Sequence, residues 1–391
     1  MNITTLDKIS DIYNGNSINA EYKRKHFCGL NEGYPFIATK DVSASGVVNY
    51  DNGVKIPFDT NYKIANPNSV FICAEGGSAG RKIGFIEKDV CFGNKLFCIK
   101  PNEDKVLGKF VYYYANSESF HEQFRNLLAG LIGGVSITKF KSISIPLPPL
   151  DKQQEIVDFL DTQFKNIDAL KSNAAQQLQD AKDLFQAALN KELKPTDGWV
   201  EKTLKDIGKT QTGTTPKTSD KGNYGDYIPF IKPADVNTDG LGGLNYNNEG
   251  LSQQGAANGR VFASGSILMV CIGTIGKVGY AIKQVSSNQQ INILTPKTDY
   301  DSKFLYYCMA SPAFQFKVIK EGESAKATIP IINKSKWERL TVHIPNLMEQ
   351  KTIVARLDNL NARCKVLQTN YENTLTLCND LKQALLKQIF E

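Results

Sequence analysis

The chain of 391 residues has few of the patterns that indicate a catalytic or metal site. It contains only three histidines, and none of them lies in a pattern such as H-E-x-x-H that binds zinc. Its eight cysteines are spread out without a C-x-x-C pair, which argues against both a zinc site and a disulfide framework. Cys73, Cys98 and Cys271 lie in apolar runs, where cysteine most often packs as a small hydrophobic residue. We therefore expect no bound metal.

Long hydrophobic runs are also missing. The longest apolar run, residues 267–272, is far shorter than the ~20 residues that a membrane-spanning helix needs. The opening residues MNITTLDKIS have neither the basic start nor the apolar core of a signal peptide. We therefore expect a cytoplasmic protein that does not contact a membrane.

Two glycine-rich stretches, EGGSAGRKIG (75–84) and IGTIGKVG (272–279), lack the patterns of nucleotide-binding loops. Neither contains G-x-x-x-x-G-K-[ST], because neither Lys82 nor Lys277 is followed by Ser or Thr, and neither contains G-x-G-x-x-G. The Asn/Asp-Pro-Pro-Tyr/Phe stretch of a DNA-amino methyltransferase is absent from the sequence as well. The sequence thus predicts a protein that is not itself an enzyme.

What the chain does contain is an internal duplication. PLPPLDKQQEIVDFLD at 146–161 returns as HIPNLMEQKTIVARLD at 343–358, with seven identities in the fourteen positions that follow from aligning Pro148 with Pro345. Unrelated segments would agree at roughly one position in fourteen or fewer. TLDKISDIYNG, PFIATKDV and KFVYYYANS return as TLKDIGKTQTG, PFIKPADV and KFLYYCMAS, at offsets of 194 to 198. Nearly the whole chain is therefore a tandem repeat.

The first part of each copy has short apolar runs bounded by Gly, Asn and Pro, as is typical of strands. We predict strands at 70–74, 96–99, 267–272 and 291–294, and one helix per copy at 108–124 and at 302–319. The predicted fold class is α+β, with two repeated domains of mixed α/β structure.

The second part of each copy is a long helix. From Asp151 to about Lys194 the chain has no Gly or Pro, and its apolar residues recur at steps of three or four, as in a seam that packs on another helix. The second seam is predicted at Ile353, Leu357, Val366, Leu367, Leu375, Leu381 and Leu385. The two helices are expected to form an antiparallel coiled coil, because no linker is long enough for a parallel pair. The predicted order is domain 1–150, helix 151–195, domain 196–345 and helix 346–391.

The distribution of charge favours a polyanionic partner. Residues 1–150 hold 17 Lys and Arg against 14 Asp and Glu, and residues 196–345 hold 17 against 13, whereas residues 151–195 hold 6 against 8. The excess of positive charge lies in the two globular domains, as expected if these bind nucleic acid.

The glycine-rich stretches follow strands. Glycine leaves the backbone N–H groups uncovered, and each stretch also has one or two cations, so both kinds of group can bind phosphates. The Asn, Gln and Lys residues that come after them can pair with base edges. The alternative, tight turns with polar side chains, remains open for each residue. The candidate DNA-binding residues are Lys40, Arg81, Lys82, Asn94, Lys95, Lys139, Lys232, Thr274, Lys277, Asn288, Gln289, Gln290 and Lys334.

These motifs together resemble those of a known family. PPLDKQQEI and PNLMEQKTI, each followed by a long helix, are similar to the conserved regions of type I restriction-modification specificity (S) subunits. DGWVEKTLKDIGKTQTGTTPK, YIPFIKPADV and GSILMVCIGTIGKVG resemble the target recognition domain of that family. The likeness covers essentially the whole chain, although the first copy departs from it at residues 75–77 and at Gln154.

The resemblance implies a non-catalytic subunit that binds double-stranded DNA. Each domain would read one half of an asymmetric, gapped site, while the helices set the gap and dock two adenine-specific methyltransferase subunits. Motor-nuclease subunits would join them, and S-adenosylmethionine, ATP and Mg²⁺ would bind to those other chains. The residues expected in the helical stalk and in partner docking are Gln153, Ile156, Leu160, Gln350, Ile353 and Leu357.

Other interpretations stay open at this point. The chain could be the specificity partner of another restriction or phage-defence enzyme, and the partner that purifies with it would distinguish the two. It could also be a structural adaptor that does not bind nucleic acid, and a flat response of DNA binding to salt would favour that class.

Overall fold

The computed structural model describes residues 2–129, 133–237, 242–323 and 329–391. The chain forms two compact units, one of Met1–Ser172 with Thr374–Glu391 and the other of Asn173–Asn373. Each unit contains one globular domain and a part of each of two long helices. Within the described ranges, no helix combines the length and the apolar composition needed to cross a membrane.

The first domain is built from short strands and short helices. Its strands are β1 (Ile3–Thr5), β2 (Ser10–Asn14), β3 (Tyr34–Ile37), β4 (Lys55–Ile56), β5 (Ile64–Ala65), β6 (Val70–Cys73), β7 (Ile83–Phe85), β8 (Val90–Phe92), β9 (Leu96–Pro101) and β10 (Ser144–Pro146). Its helices are α1 (Leu6–Ile9), α2 (Ala20–His26), α3 (Gly108–Ala115), α4 (Glu118–Leu127) and α5 (Ile137–Lys141).

These strands form two four-stranded sheets and one two-stranded sheet, in the orders β2-β9-β6-β7, β4-β3-β8-β5 and β1-β10. Pairing is antiparallel except between β3 and β8. All four residues of β6 are buried, because Val70 and Ile72 face one hydrophobic cluster while Phe71 and Cys73 face another. A strand that is buried on both faces reads as a continuous apolar run.

The first long helix, α6 (Leu150–Glu192), follows β10. Its 43 residues correspond to a length of about 64 Å at 1.5 Å per residue.

The second domain repeats the first. Its strands are β11 (Val200–Thr203), β12 (Gly208–Thr212), β13 (Tyr224–Ile231), β14 (Gly250–Leu251), β15 (Val261–Phe262), β16 (Ile267–Val270), β17 (Val278–Tyr280), β18 (Val285–Ser287), β19 (Ile291–Pro296) and β20 (Thr341–Ile344). Its helices are α7 (Leu204–Ile207), α8 (Gln253–Asn258), α9 (Ser302–Ala310), α10 (Pro312–Glu323) and α11 (Lys334–Trp337). The second long helix, α12 (Leu347–Phe390), ends the chain.

The sheet orders of the second domain are β12-β19-β16-β17, β14-β13-β18-β15 and β11-β20, so each strand of the first domain has an equivalent ten strands later. The four predicted apolar runs are strands β6, β9, β16 and β19. The duplication that the sequence predicts is thus a duplication of topology.

Within the first unit the two long helices are antiparallel. Lys382 Nζ lies 2.6 Å from Asp168 Oδ1, and Lys171 Nζ donates a hydrogen bond of 2.8 Å to Asn379 Oδ1. The later residue of α6 thus contacts the earlier residue of α12, so the two helices run in opposite directions. The predicted fold class, two repeated α/β domains with long helices packed antiparallel, is confirmed.

The predicted seam of α12 is wrong in its middle section. The side chains of Val366 and Leu381 are 61% and 48% exposed, whereas Cys364 and Cys378 are buried. Ile353 and Leu357 are buried in the second unit, and they show which face of α12 is turned inward. Steps of seven residues from Leu357 reach Cys364 and, after two more steps, Cys378, so the two cysteines lie on the same face as Leu357. Val366 and Leu381 are more hydrophobic but do not lie at these positions.

The single helix expected at 108–124 is two helices, α3 and α4, because Ser117 interrupts it. The backbone of Ser117 is extended, and its side chain accepts a hydrogen bond from the backbone N–H of Phe120, which caps α4. Ser311 separates α9 from α10 in the second domain in the same way, and its hydroxyl accepts from Phe314 N–H. A serine at these positions favours a helix start over helix continuation.

Candidate nucleic-acid interface

Three segments of the first domain meet at one edge of its sheets. They are the chain after β3, the glycine-rich turn between β6 and β7, and the turn between β8 and β9. Backbone hydrogen bonds hold them together: Gly93 N–H donates to Ile37 O (2.9 Å), and Ala74 N–H donates to Lys95 O (2.9 Å). The parallel pairing of β3 with β8 and the antiparallel pairing of β6 with β9 bring these ends to the same edge.

The candidate cations of the first domain lie along this edge. Lys40, Arg81 and Lys95 are exposed, and Lys82 is half-buried with its Nζ 2.8 Å from the carbonyl oxygen of Thr39. Lys95 Nζ also lies 3.0 Å from the Glu75 carboxylate, at the surface, where such a pair contributes little to stability. These cations are therefore accessible to a polyanion.

Lys139 and Asn94 belong to the same region. Val135 N–H donates to Ala74 O (3.1 Å), so the segment that leads into α5 lies beside the glycine-rich turn. Lys139 in α5 is exposed, and so is Asn94 in the turn between β8 and β9. The structure thus brings together all six candidates of the first domain.

The second domain has the equivalent edge. Cys271 N–H donates to Gln290 O (2.8 Å), Asn288 N–H donates to Ile231 O (3.4 Å), and Ile332 N–H donates to Cys271 O (3.0 Å). These bonds join the chain after β13, the turns β16–β17 and β18–β19, and the segment that leads into α11. Thr274, in the first of these turns, is exposed.

The candidate base readers of the second domain are not equivalent to one another. Asn288 is only 9% exposed, and its side chain donates to Gln290 Oε1 (3.0 Å) and accepts from Gln290 N–H (3.1 Å). Gln289 between them is exposed, with its Oε1 accepting from the Thr215 hydroxyl at 2.5 Å. Asn288 and Gln290 therefore shape the turn, which leaves Gln289 as the accessible candidate.

Two cations of the second domain have acidic partners. Lys232 pairs with Glu249, and Lys334 Nζ, at the start of α11, lies 2.7 Å from Oε2 of Glu338, the residue that follows α11. The hydrogen bonds that Glu338 accepts from Lys334 and then from Thr210 hold the pKa of its carboxyl below the usual value. Glu338 therefore links the end of α11 to Thr210 of β12, and Lys334 is already paired with this carboxylate.

Lys277 lies beside the long helix. It lines a cleft of about 300 Å³ together with Phe185 and Leu189 of α6, and with Tyr306 of α9. Its half-buried position therefore differs from that of Arg81, which is exposed at the edge of the first domain.

The glycine-rich turns have two kinds of glycine. A Cβ atom at Gly80 (φ +69°) would lie 2.5 Å from the Phe124 ring, so this glycine permits close packing on α4. A Cβ atom at Gly76 or Gly273 would meet no heavy atom within 4 Å, so the backbone there is open to a ligand. Only the second kind fits the phosphate-binding role that we expected for the stretch.

The six residues expected in the stalk and in partner docking are all buried. Gln153 is 0% exposed: its Oε1 accepts from Leu107 N–H (2.9 Å), and its Nε2 donates to Lys105 O (3.0 Å) and Pro148 O (2.8 Å). Gln350 accepts from Asp301 N–H (2.9 Å) and donates to Pro345 O (2.9 Å). Ile156, Leu160, Ile353 and Leu357 complete the set in the two main hydrophobic clusters. The glutamines join each helix to its domain, and the four apolar residues pack in clusters that also hold residues of the other long helix. Because all six are buried, none of them offers a surface for partner docking, and this corrects the docking role.

A tyrosine, a lysine and an aspartate form a second junction that the sequence analysis missed. Asp161 accepts from the Tyr113 hydroxyl and from Lys109 Nζ, both at 2.5 Å. In the second domain Asp358 accepts from the Tyr307 hydroxyl (2.5 Å) and from Lys303 Nζ (2.7 Å). The signal was present, because the repeats KFVYYYANS and KFLYYCMAS and the shared aspartate hold all three residue types in both copies.

Burial and the hydrogen bond to the aspartate raise the pKa of Tyr113, and the same two causes raise the pKa of Tyr307. Both phenols therefore stay neutral hydrogen-bond donors. In the described ranges, no group of three or more His, Cys, Asp or Glu side chains is arranged to hold a metal ion.

Comparison with known proteins gives consistent matches over both copies. The model of the type I restriction modification DNA specificity domain matches residues 2–180 and 196–377. The HindI specificity subunit of Haemophilus influenzae is 24% identical over an alignment of 381 positions, which spans 76% of this chain and 81% of the relative. The EcoBI specificity subunit of Escherichia coli is 23% identical over an alignment of 415 positions, which spans 99% of this chain and 84% of the relative.

Two solved structures share the fold. A chain from a study of complex assembly and conformational transition of the type I R-M system matches with a TM-score of 0.75 at 17% identity, covering 99% of this chain and 96% of the other. The HsdS subunit from Thermoanaerobacter tengcongensis matches with a TM-score of 0.56 at 17% identity, covering 100% and 96%. Since the family model matches both copies of the repeat, this chain belongs to the type I restriction-modification DNA specificity family.

Proposed function

We propose that this chain is the DNA-specificity subunit of a type I restriction-modification complex and has no catalytic role of its own. The observation that carries the proposal is the repeated edge, where each domain gathers cations, open glycine backbone and an exposed amide side chain. The relatives, which are named as specificity subunits of type I restriction enzymes, support it.

The edge residues divide into two roles. Lys40, Arg81 and Lys139 bind phosphates, because each is an exposed cation next to the open glycine turn. Asn94 and, in the second domain, Gln289 read base edges, because an exposed amide can pair bidentately with adenine. Phosphate contacts fix the position on the duplex, and base contacts supply the sequence preference.

The two half-sites differ in sequence. The turn between β8 and β9 reads GNK in the first domain, whereas the equivalent turn between β18 and β19 reads NQQ in the second. Different side chains at equivalent positions read different bases, so the recognised site is asymmetric. The long helices α6 and α12 set the gap between its halves.

The proposed partners are two adenine-specific DNA methyltransferase subunits and motor-nuclease subunits. S-adenosylmethionine, ATP and Mg²⁺ are bound by those subunits, and the complex acts on double-stranded DNA in the cytoplasm. Because Gln153 and Gln350 are buried, the methyltransferase subunits dock on exposed faces of the long helices.

Paired substitutions in the first domain test this division of roles. Arg81→Gln removes a phosphate contact, so it should weaken binding on all duplexes and reduce the slope of log K against log salt by about 1. Asn94→Ala should leave that slope unchanged and relax the preference for one base in one half-site. The measurement is a fluorescence titration against a set of duplexes at several salt concentrations.

Two outcomes would contradict the proposal. If Arg81→Gln and Asn94→Ala act identically, the two roles are wrongly assigned. If the unmodified chain binds DNA with no salt dependence, or does not bind it, the chain is an adaptor rather than a DNA reader. Co-purification of a methyltransferase separates this system from another restriction or phage-defence enzyme.

A further inference from the structure

Helix α2 distinguishes the first domain from the second. It lies in the connection between β2 and β3, where the second domain has only a single 3-10 turn, Lys221–Asn223. Both connections start from equivalent points: Asn16 N–H donates to Phe92 O (2.7 Å), and Thr214 N–H donates to Ser287 O (2.8 Å). The repeated fold therefore carries a different element in this connection.

The sequence of α2, AEYKRKH, is strongly basic. Lys23, Arg24 and Lys25 are consecutive and precede His26, while Glu21 is the acidic residue of the helix. No residue of α2 is buried, so packing does not explain this composition. The 3-10 turn of the second domain is preceded instead by an acidic residue, Asp220, which caps it.

The location of α2 is as informative as its charge. Asn94 N–H donates to Asn16 O (3.1 Å), so the chain passes the candidate base reader four residues before α2 begins. Lys23 Nζ lies 4.1 Å from the centroid of the Phe36 ring, at the end of β3. Burial and repulsion from Lys40 lower the pKa of Lys23, which indicates that cations of α2 and of the edge are close together. Helix α2 therefore flanks the edge.

Arg24 and Lys25 are exposed and form no ion pair within the part of the chain that the structure describes. Like charges placed side by side without counter-ions repel one another, so they raise the free energy of the unbound protein. A phosphodiester chain relieves this repulsion and releases the counter-ions that it had condensed. The ligand that these observations favour is the phosphate backbone of a nucleic acid.

We propose that α2 is a DNA-backbone contact of the first domain, in which Arg24 and Lys25 bind phosphates beside the candidate edge. The inference rests on the proposed DNA-binding function and extends it to an element that the second domain lacks. It makes the two domains unequal, since the first contributes more phosphate contacts and the second depends more on the contacts of its turns.

The test compares the unmodified 391-residue chain with the double variant Arg24→Gln/Lys25→Gln on one mixed-sequence duplex. Removal of two phosphate contacts should reduce the slope of log K against log salt by about 2 and weaken binding at least about tenfold at low salt. The charge-retaining variant Arg24→Lys/Lys25→Arg should keep the slope. Because both side chains are exposed, circular dichroism should show an unchanged fold.

The matched control is Lys8→Gln/Lys100→Gln. Both lysines are exposed, in α1 and near the far end of β9, so the variant removes the same charge away from the edge. If the α2 variant changes the slope no more than this control does, the inference about α2 is overturned while the proposed function stands. If the unmodified chain has no salt dependence, the proposed function itself fails. An altered base preference with an unchanged slope would overturn the phosphate role of α2.

Discussion

At the scale of single residues, the most informative side chains are the buried glutamines that begin the long helices. Gln153 bonds Leu107 N–H, Lys105 O and Pro148 O, so it joins α6 both to the start of α3 and to its own approach segment. Gln350 makes two equivalent bonds in the second domain, one from Asp301 N–H and one to Pro345 O. A buried side chain with all its hydrogen bonds made fixes geometry better than an apolar one.

Gln153→Ala should therefore lower the free energy of unfolding by about 2 to 4 kcal/mol, because it leaves an N–H and two carbonyl groups buried without partners. The neighbouring Gln154 is exposed and bonds Asp158 on its own helix, so Gln154→Ala should cost less than about 0.5 kcal/mol. Urea unfolding of both variants measures the difference. Equal shifts of the midpoint would show that Gln153 does not hold the junction.

The sequence analysis selected these glutamines but assigned them to the stalk and to partner docking, rather than to the junction between helix and domain. The repeat shows a glutamine at the same place in both copies, at Gln153 and Gln350. The backbone groups of the domains with which they bond lie 46 to 49 residues away in the chain, so the sequence does not indicate these partners. The same limit applies to Asn288, which was predicted to read bases and is largely buried against Gln290. Composition indicates which groups can form hydrogen bonds, and only the fold decides which of them are already satisfied.

At the scale of elements, the strands and long helices were predictable because their patterns are strong. Buried strands such as β6 and β16 have continuous apolar runs, and α6 has 43 residues without Gly or Pro. The break at Ser117 and the seam of α12 were not predicted correctly. In both places a weakly hydrophobic or polar residue decides the structure, so counting apolar residues misleads.

The assignment of the buried face of α12 can be tested with two leucines of the same helix. Leu386 is 1% exposed in the main cluster of the first unit, whereas Leu381 is 48% exposed. Leu386→Ala should lower stability by about 2 to 5 kcal/mol through the cavity that it leaves. Leu381→Ala, which makes the same change in helix propensity, should cost less than about 1 kcal/mol. Thermal unfolding compares them, and a larger loss for Leu381→Ala would contradict the seam.

At the scale of the whole molecule, the duplication is the dominant feature. Strand order, the buried glutamine, the tyrosine–aspartate–lysine junction and the edge all occur twice. The domains differ in α2, which the first domain has, in α8, which the second has, and in the turns before β9 and β19, and DNA contact is proposed at α2 and at these turns. A repeated scaffold with divergent contact elements is what recognition of two different half-sites requires.

The central claim is that this chain selects an asymmetric, gapped DNA site for adenine methylation. Sequencing of methyladenine in cells with and without the gene tests it most directly, and the same experiment can include a variant with four residues added to both α6 and α12. We predict one bipartite motif that disappears on deletion and, since four residues add about 6 Å of helix, a gap about one to two base pairs longer in the variant. An unchanged gap would contradict the role of the helices, and an unchanged set of methylated motifs after deletion would contradict the central claim.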